Sequence, residues 1–131
     1  MSNAFRLQFS QPKVMAFLLG LSLLLTVYSS VVSAAELDAK VAWQKIDSGA
    51  LVIDVRTAEE FAQGHLPDAI NIPYQQINQA FAQQEIAKDR SVVVYCRSGN
   101  RSGIADKMLE NAGFTNVYNG GGYQTLMMEK R

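Results

Sequence analysis

Two short runs of apolar residues most constrain how this chain can fold. They are Ala50-Leu-Val-Ile-Asp54-Val and Ser91-Val-Val-Val-Tyr95, and neither alternates apolar with polar residues. Strands of this kind are buried on both faces, as in parallel sheets covered by helices. Helical patterns precede and follow both runs, and this alternation predicts an α/β fold with a parallel sheet between two layers of helices.

Weaker patterns predict the remaining elements. We expect helices over 36–45, after an N-cap at Thr57, within 74–88, over 101–112 and over 123–130, and further strands over 69–72 and 114–118. The run from Asn119 to Gly122 is expected to form a sharp loop between the last strand and the last helix. It lacks the spacing of a dinucleotide-binding motif.

The first 35 residues have the layout of a secretory signal. Arg6 and Lys13 precede a long uncharged stretch, which ends in small residues. We expect cleavage after Ala34 or Ala35, which leaves a single domain over 36–131 in the periplasm. An uncleaved membrane anchor is the alternative, since Val14 to Ala35 is 22 residues long and can span a bilayer. In both cases the domain lies outside the cytoplasmic membrane.

The charge of this domain excludes two classes of partner. All 12 acidic residues and ten of the 12 basic residues lie from Glu36 onward, so its net charge is −2. It contains no run of Lys or Arg, whereas nucleic acids and anionic membranes are bound by clustered basic residues. We therefore expect neither a nucleic-acid partner nor, after cleavage, a membrane partner.

The chain contains one cysteine, Cys96. It therefore has no intramolecular disulfide and no cysteine-based metal cluster, and we expect neither a metal nor a cofactor. A single thiol in an oxidising compartment is a liability that requires an explanation. A buried, inert thiol is one explanation, and a reactive one is the other.

The residues around Cys96 favour a reactive thiol. Cys96 ends a buried strand and stands before a helix, where free backbone amides and partial positive charge favour an anion. We expect these amides, with Arg97 and Arg101, to lower the pKa of the thiol well below about 8.5. The predicted anion-binding residues are Arg97, Ser98, Gly99, Asn100 and Arg101.

These motifs resemble the single-domain rhodanese (thiosulfate sulfurtransferase) family. The resemblance rests on Leu51 to Arg56 with Gly64 to Pro73, on Val94 to Ser102, and on Val117 to Gly122. It implies a three-layer α/β fold with a small parallel sheet of four to five strands. Two positions depart from the family: Asp68 stands where Gly is usual, and Gln124-Thr125-Leu126 stands where a Trp is common.

The resemblance implies that Cys96 takes the sulfane sulfur of thiosulfate as a persulfide and passes it to cyanide or a thiol. A thiol-redox protein is a further candidate partner, which would regenerate the thiolate. We expect supporting roles for Asp54, Arg56, His65 and Ser102, with Arg56 paired to Glu60 and the His65 ring bonded to backbone.

Two other functions remain open. A cysteine phosphatase or arsenate reductase uses a similar loop, but phosphatases of this type place one residue more between Cys and Arg than the four found here. The loop also lacks a general acid. A non-catalytic persulfide carrier is the second alternative.

Overall fold

The computed structural model describes residues 37–130, and the expected signal segment lies outside these described residues. The four strands in this part of the chain are β1 (Leu51–Asp54), β2 (Ile70–Asn71), β3 (Val92–Cys96) and β4 (Val117–Gly122). They form one sheet in the order β2-β1-β3-β4, and every pair is parallel. The α/β fold with a small parallel sheet is therefore confirmed.

The helices are α1 (Ala39–Asp47), α2 (Ala58–Ala62), α3 (Ile77–Gln83), α4 (Asn100–Asn111) and α5 (Tyr123–Glu129). A 3₁₀ turn, Tyr74–Gln76, precedes α3. The helix predicted within 74–88 is thus divided and short, and it ends before Glu85, whose φ is +51°. Every helix among residues 37–130 is too short or too polar to cross a membrane.

Two separate apolar clusters cover the two faces of the sheet. Alternate residues of β3 point to opposite faces, so Val94 and Cys96 join one cluster, and Val93 and Tyr95 join the other. The first cluster is completed from α3 and α4 by Ile77, Phe81, Ala105 and Leu109. The second is completed from α1 and α5 by Ala39, Ala42 and Leu126. This burial on both faces explains the unbroken apolar runs in the sequence.

Helix α2 begins at the predicted N-cap. The Thr57 hydroxyl accepts a hydrogen bond from the Glu60 amide at 3.2 Å, and the Glu60 carboxylate accepts one from the Thr57 amide at 3.0 Å. This reciprocal capping box satisfies two amides that a helix otherwise leaves unpaired. It also holds the Glu60 carboxylate in a defined position, where it contacts a second group described below.

The expected loop at Asn119 to Gly122 is wrong, because these residues belong to β4. Val94 pairs with Asn119 and Tyr95 with Gly121, so Gly120 is an extra residue that makes a β-bulge. A glycine run is typical of a turn, but glycine within a strand also marks a bulge or a close approach of two backbones. Both occur here, next to the loop that follows Cys96.

Candidate active site

The carboxyl ends of all four parallel strands lie at one edge of the sheet. Cys96 is the last residue of β3, and Asp54 is the last residue of the neighbouring strand β1. A three-residue loop joins Cys96 to α4, whose N-cap is Gly99. Ligands of open α/β sheets bind at this edge, in front of helix N-termini. The geometry therefore brings Cys96 to the position where a binding site is expected.

Cys96 is fully buried, and its Sγ is surrounded by hydrogen-bond donors. The amide of Gly99 donates to Sγ at 3.0 Å, and the hydroxyl of Ser102 lies 3.4 Å from it. Burial by itself raises the pKa of the thiol, but hydrogen bonds from the Ser102 hydroxyl and from the amides of Ser102, Ser98 and Gly99 outweigh it, so the pKa is lowered. The loop thus favours the thiolate.

Gly99 has a backbone conformation that few other residues adopt. Its φ is +92°, and a Cβ at this position would lie 2.5 Å from Cδ1 of Leu37. An L side chain here would meet both strain and a clash. Glycine at this position therefore allows the amide to turn back toward Cys96 Sγ.

The predicted binding arginines differ from each other in their surroundings. The guanidinium of Arg101 donates two hydrogen bonds to the carboxylate of Glu60, at 2.7 and 2.9 Å. Arg97 is exposed and forms no salt bridge within residues 37–130. The hydrogen bond from Arg101 lowers the pKa of Glu60 to about 2, so this pair is charged at neutral pH.

The expected pairing of Arg56 with Glu60 is wrong. Arg56 pairs with Asp54, two residues before it, and its Nη2 lies 2.6 Å from Oδ2 of Asp54. The Asp54 side chain also accepts a hydrogen bond from the Arg56 backbone amide at 3.0 Å. The guanidinium is thus bound to a carboxylate two residues away and does not pair with Glu60. Asp54 and Arg56 are both buried, which makes the pair a fixed polar link at the end of β1.

This buried pair organises the chain that follows α2. Arg56 donates to the carbonyl of Gly64 at 2.7 Å and lies 4.6 Å from the ring centre of Tyr123. The Tyr95 hydroxyl accepts a hydrogen bond from the Leu66 amide at 3.0 Å. Residues 64–66 are therefore held against the ends of β1 and β3 by Arg56, two residues after β1, and by Tyr95 of β3.

His65 lies on the outside of this segment. It is exposed, its ring stacks on Phe61 at 3.7 Å, and its Nδ1 donates to the Phe61 carbonyl at 2.9 Å. The ring thus makes the backbone contact that we expected.

Asp68, the departure from the family pattern, has a φ of +60°. Asp tolerates this left-handed conformation better than most residues, which explains why it replaces Gly here.

Asn119 is the site residue that the sequence analysis missed. Its Oδ1 accepts hydrogen bonds from the Ser102 hydroxyl at 2.7 Å and from the Gly121 amide at 3.0 Å. Its Nδ2 donates to the carbonyl of Gly99 at 3.0 Å. An Asn directly before a glycine run is a signal for such local backbone contacts, but it does not indicate contacts with α4.

Gly122 brings β4 directly against the loop that follows Cys96. A Cβ on Gly122 would lie 2.7 Å from the carbonyl oxygen of Arg97 and 3.7 Å from Cα of Ser98. Only a residue without a side chain fits this approach. The end of β4 is therefore a floor that supports the loop backbone.

An open pocket of about 400 Å³ lies beside the loop. Cys96 does not line it, but the next residue does. The lining residues are Arg56, Glu60, Gln63, Gly64, Arg97, Tyr123 and Gln124. No group of three or more His, Cys, Asp or Glu side chains within the described residues is placed to hold a metal ion.

Comparison with known proteins identifies the family. The family model described as "Rhodanese-like domain" matches residues 33–127. Thiosulfate sulfurtransferase PspE of Escherichia coli is 40% identical over 78 residues, which cover 60% of this chain and 75% of that protein. A sulfurtransferase of Allochromatium vinosum is 46% identical over 69 residues, 53% of this chain and 63% of that protein.

A solved structure agrees with these matches. The structure described as "rhodanese with anions from E. coli" superposes with a TM-score of 0.55 at 38% identity, over 58% of this chain and 89% of that one. Its fold agrees with the parallel sheet and flanking helices described above. On these grounds the chain belongs to the rhodanese-like domain family.

Proposed function

We propose that this chain is a thiosulfate sulfurtransferase in which Cys96 carries the transferred sulfur as a persulfide. The enzyme type is that of its relatives, which are named as sulfurtransferases. The observation that carries the proposal is the Gly99 amide 3.0 Å from Sγ, at the front of α4. Preorganised donors aimed at Sγ favour the thiolate that attacks the donor and that is released again when the sulfur is passed on.

The reaction divides into two displacements. The Cys96 thiolate attacks the outer sulfur of thiosulfate, a new S–S bond forms, and sulfite leaves with the electron pair of the broken bond. Cyanide or a thiolate then attacks the outer sulfur of the persulfide, and the Cys96 thiolate is released. One covalent intermediate between two substrates predicts ping-pong kinetics.

The surroundings of the arginines suggest a division of roles in binding the sulfur anion. Arg56 and Arg101 are neutralised by Asp54 and Glu60, whereas Arg97 lines the pocket without a carboxylate partner among residues 37–130. We therefore assign anion attraction mainly to Arg97, helped by the amides of the loop. Arg101 acts mainly by fixing the start of α4 against α2. The sequence predicts Arg97 and Arg101 as anion-binding residues, and the salt bridge between Arg101 and Glu60 is the reason for giving Arg97 the larger part.

Intact mass spectrometry tests the persulfide directly. Incubation with thiosulfate is expected to add one sulfur atom to the protein, and cyanide is expected to remove it. Cys96→Ser is the matched control, since it preserves size and removes the only thiol. A sulfur adduct on Cys96→Ser, or thiosulfate:cyanide turnover by that variant, contradicts the mechanism.

The same preparation separates the alternatives. Steady-state thiosulfate:cyanide turnover excludes a purely passive carrier. Hydrolysis of a phosphate ester, or reduction of arsenate, with no sulfur adduct would favour the phosphatase or reductase function. We expect neither reaction, because the loop contains only four residues between Cys96 and Arg101.

We also propose that the domain works in the periplasm after export. The support is the signal-like pattern of residues 1–35. N-terminal mass analysis of the exported protein is expected to find Ala35 or Glu36 as the first residue. A protein that retains Met1 would instead support a membrane anchor.

A further inference from the structure

Ser102 lies between two acceptors for its single hydroxyl proton. Its Oγ is 2.7 Å from Oδ1 of Asn119 and 3.4 Å from Sγ of Cys96. A hydroxyl donates one hydrogen bond at a time. Ser102 therefore donates either to Asn119 or to Cys96, and the shorter distance favours Asn119.

The orientation of the Asn119 amide is fixed by backbone groups on both sides. Its Nδ2 donates to the Gly99 carbonyl, and its Oδ1 accepts from the Gly121 amide. Reversing the amide would place two donors face to face at Gly121 and two acceptors face to face at Gly99. Oδ1 consequently points to Ser102 as an acceptor, and the hydroxyl is the only donor of that pair.

The location of the hydroxyl proton depends on the state of Cys96. When Cys96 is a thiol, its S–H can donate to Oγ of Ser102, while the hydroxyl donates to Oδ1 of Asn119. When Cys96 is a thiolate, it is stabilised most if the Ser102 hydroxyl turns and donates a hydrogen bond to Sγ. This turn breaks the hydrogen bond from the hydroxyl to Asn119. Ionisation of Cys96 is therefore opposed by the loss of one short hydrogen bond.

We propose that Asn119 is a positioning residue that competes with Cys96 for the hydroxyl proton of Ser102 and thereby limits how readily Cys96 ionises. Within residues 37–130, Asn119 forms no hydrogen bond with Sγ and does not line the pocket, so it acts through Ser102. The inference rests on the proposed function only in treating Cys96 as the nucleophile. The proposal gives the bulge in β4 a role. The extra residue of the bulge separates Asn119 from Gly121, whose backbone amide donates to the Asn119 side chain.

Other charged and titratable groups also face this end of the sheet. They are Arg97 in the loop, Arg101 on α4, Glu60 on α2, Asp54 and Arg56 after β1, and Tyr74 beside the first cluster. Within residues 37–130, none of them shares a hydrogen bond with Asn119 or Ser102. Their influence on Cys96 is therefore common to all variants of Asn119 and cancels in a comparison.

The test is the pH dependence of Cys96 alkylation by iodoacetamide. Cys96 is the only thiol, and its burial slows alkylation at every pH, so the pH at which the rate is half-maximal reports its pKa without any sulfur donor. Four proteins form a cycle: the wild type, Asn119→Ala, Ser102→Ala and the double variant. Because Asn119→Ala also removes the contact with the Gly99 carbonyl, the Ser102→Ala background measures that second effect alone.

We expect Asn119→Ala to lower the pKa of Cys96 by roughly half a unit to one unit more when Ser102 is present than in the Ser102→Ala background. Equal shifts in the two backgrounds, within about 0.3 unit, overturn the proposal. The proposal is also overturned if Asn119→Ala raises the pKa of Cys96 by more in the presence of Ser102 than in its absence. A merely structural role for Asn119 would give equal shifts.

A second variant keeps the test decisive if Asn119→Ala does not fold. Asn119→Asp has the same shape and keeps the acceptor for Ser102, but its negative charge holds the hydroxyl more strongly. It also replaces the donor to the Gly99 carbonyl by an acceptor, a change that is common to both Ser102 backgrounds. We expect a rise in the pKa of Cys96 that is larger when Ser102 is present than in the Ser102→Ala background, and equal rises refute the competition. Since alkylation needs no sulfur transfer, this result stands apart from the mass test of the persulfide.

Discussion

The close approach of Gly122 to the loop allows a sharp test of how β4 supports the site. Gly122 has φ −94° and ψ 140°, which any L residue adopts, so space is the only obstacle to a side chain. The Cβ of Gly122→Ala would lie 2.7 Å from the Arg97 carbonyl oxygen, whereas ordinary contacts begin at 3.4 Å. The loop must therefore retreat by about 0.7 Å, the difference between these two distances.

This displacement has two expected consequences. Overpacking against backbone is expected to cost about 1 to 3 kcal/mol of stability. Because misplacement of reacting groups by about 1 Å can cost a hundredfold in rate, we expect kcat/KM for thiosulfate to fall by roughly tenfold to a hundredfold. The measurements are thiosulfate:cyanide kinetics and urea unfolding of the same preparation.

Gly49→Ala is the matched control. Gly49 lies before the amino end of β1, has φ +95°, and has no atom within 4 Å of its Cβ position. Alanine there is expected to cost about 1 to 2 kcal/mol through backbone strain and to leave kcat/KM unchanged. Wild-type kcat/KM for Gly122→Ala, or equal losses of activity for both variants, would refute the role of β4 as a floor.

Two further predictions concern polar contacts around the site. Glu60→Gln is expected to cost about 1 kcal/mol at pH 7, because its salt bridge is only partly exposed. The pKa of Glu60 is lowered to about 2 from 4.5, so its contribution is present above pH 4.5 and is lost as the pH falls toward 2. Urea unfolding should therefore show more than half of the difference gone by about pH 3, and an undiminished difference contradicts this. Tyr95→Phe leaves the buried Leu66 amide without its acceptor and should lower the free energy of unfolding by about 1 to 3 kcal/mol. Tyr118→Phe, which loses only exposed hydrogen bonds of 3.3 Å, should cost less than about 0.5 kcal/mol, and equal losses would show that the Tyr95 hydroxyl has no special role.

The parts of the site that are contiguous in the chain were predictable. A buried strand, a cysteine, a short loop with glycine and a helix follow one another from Val92 to Asn111, so their geometry depends on local preferences. The capping box at Thr57 was predictable for the same reason, since its partner is only three residues away. Local order therefore indicated the nucleophile and the donors that surround it.

The contacts between distant segments were not predictable in this way. Arg101 meets Glu60 across 41 residues, and Ser102 meets Asn119 across 17 residues. Which of several carboxylates an arginine contacts depends on where the sheet places each helix, and the residue types alone do not decide it. The glycines at the end of β4 resemble a turn in the sequence for the same reason, because the close approach that requires them arises only once β4 pairs with β3.

The order of residues was enough to establish an α/β domain with one nucleophile at the end of a buried strand, because burial on both faces and strand-to-helix turns leave local patterns. Folding decided the charge balance of the site. It paired Arg101 with Glu60, left Arg97 exposed, and placed Asn119 beside Ser102. The physical reason is that a hydrogen bond tolerates only a few tenths of an ångström of variation in its donor–acceptor distance. That distance is set by the packing of the whole domain.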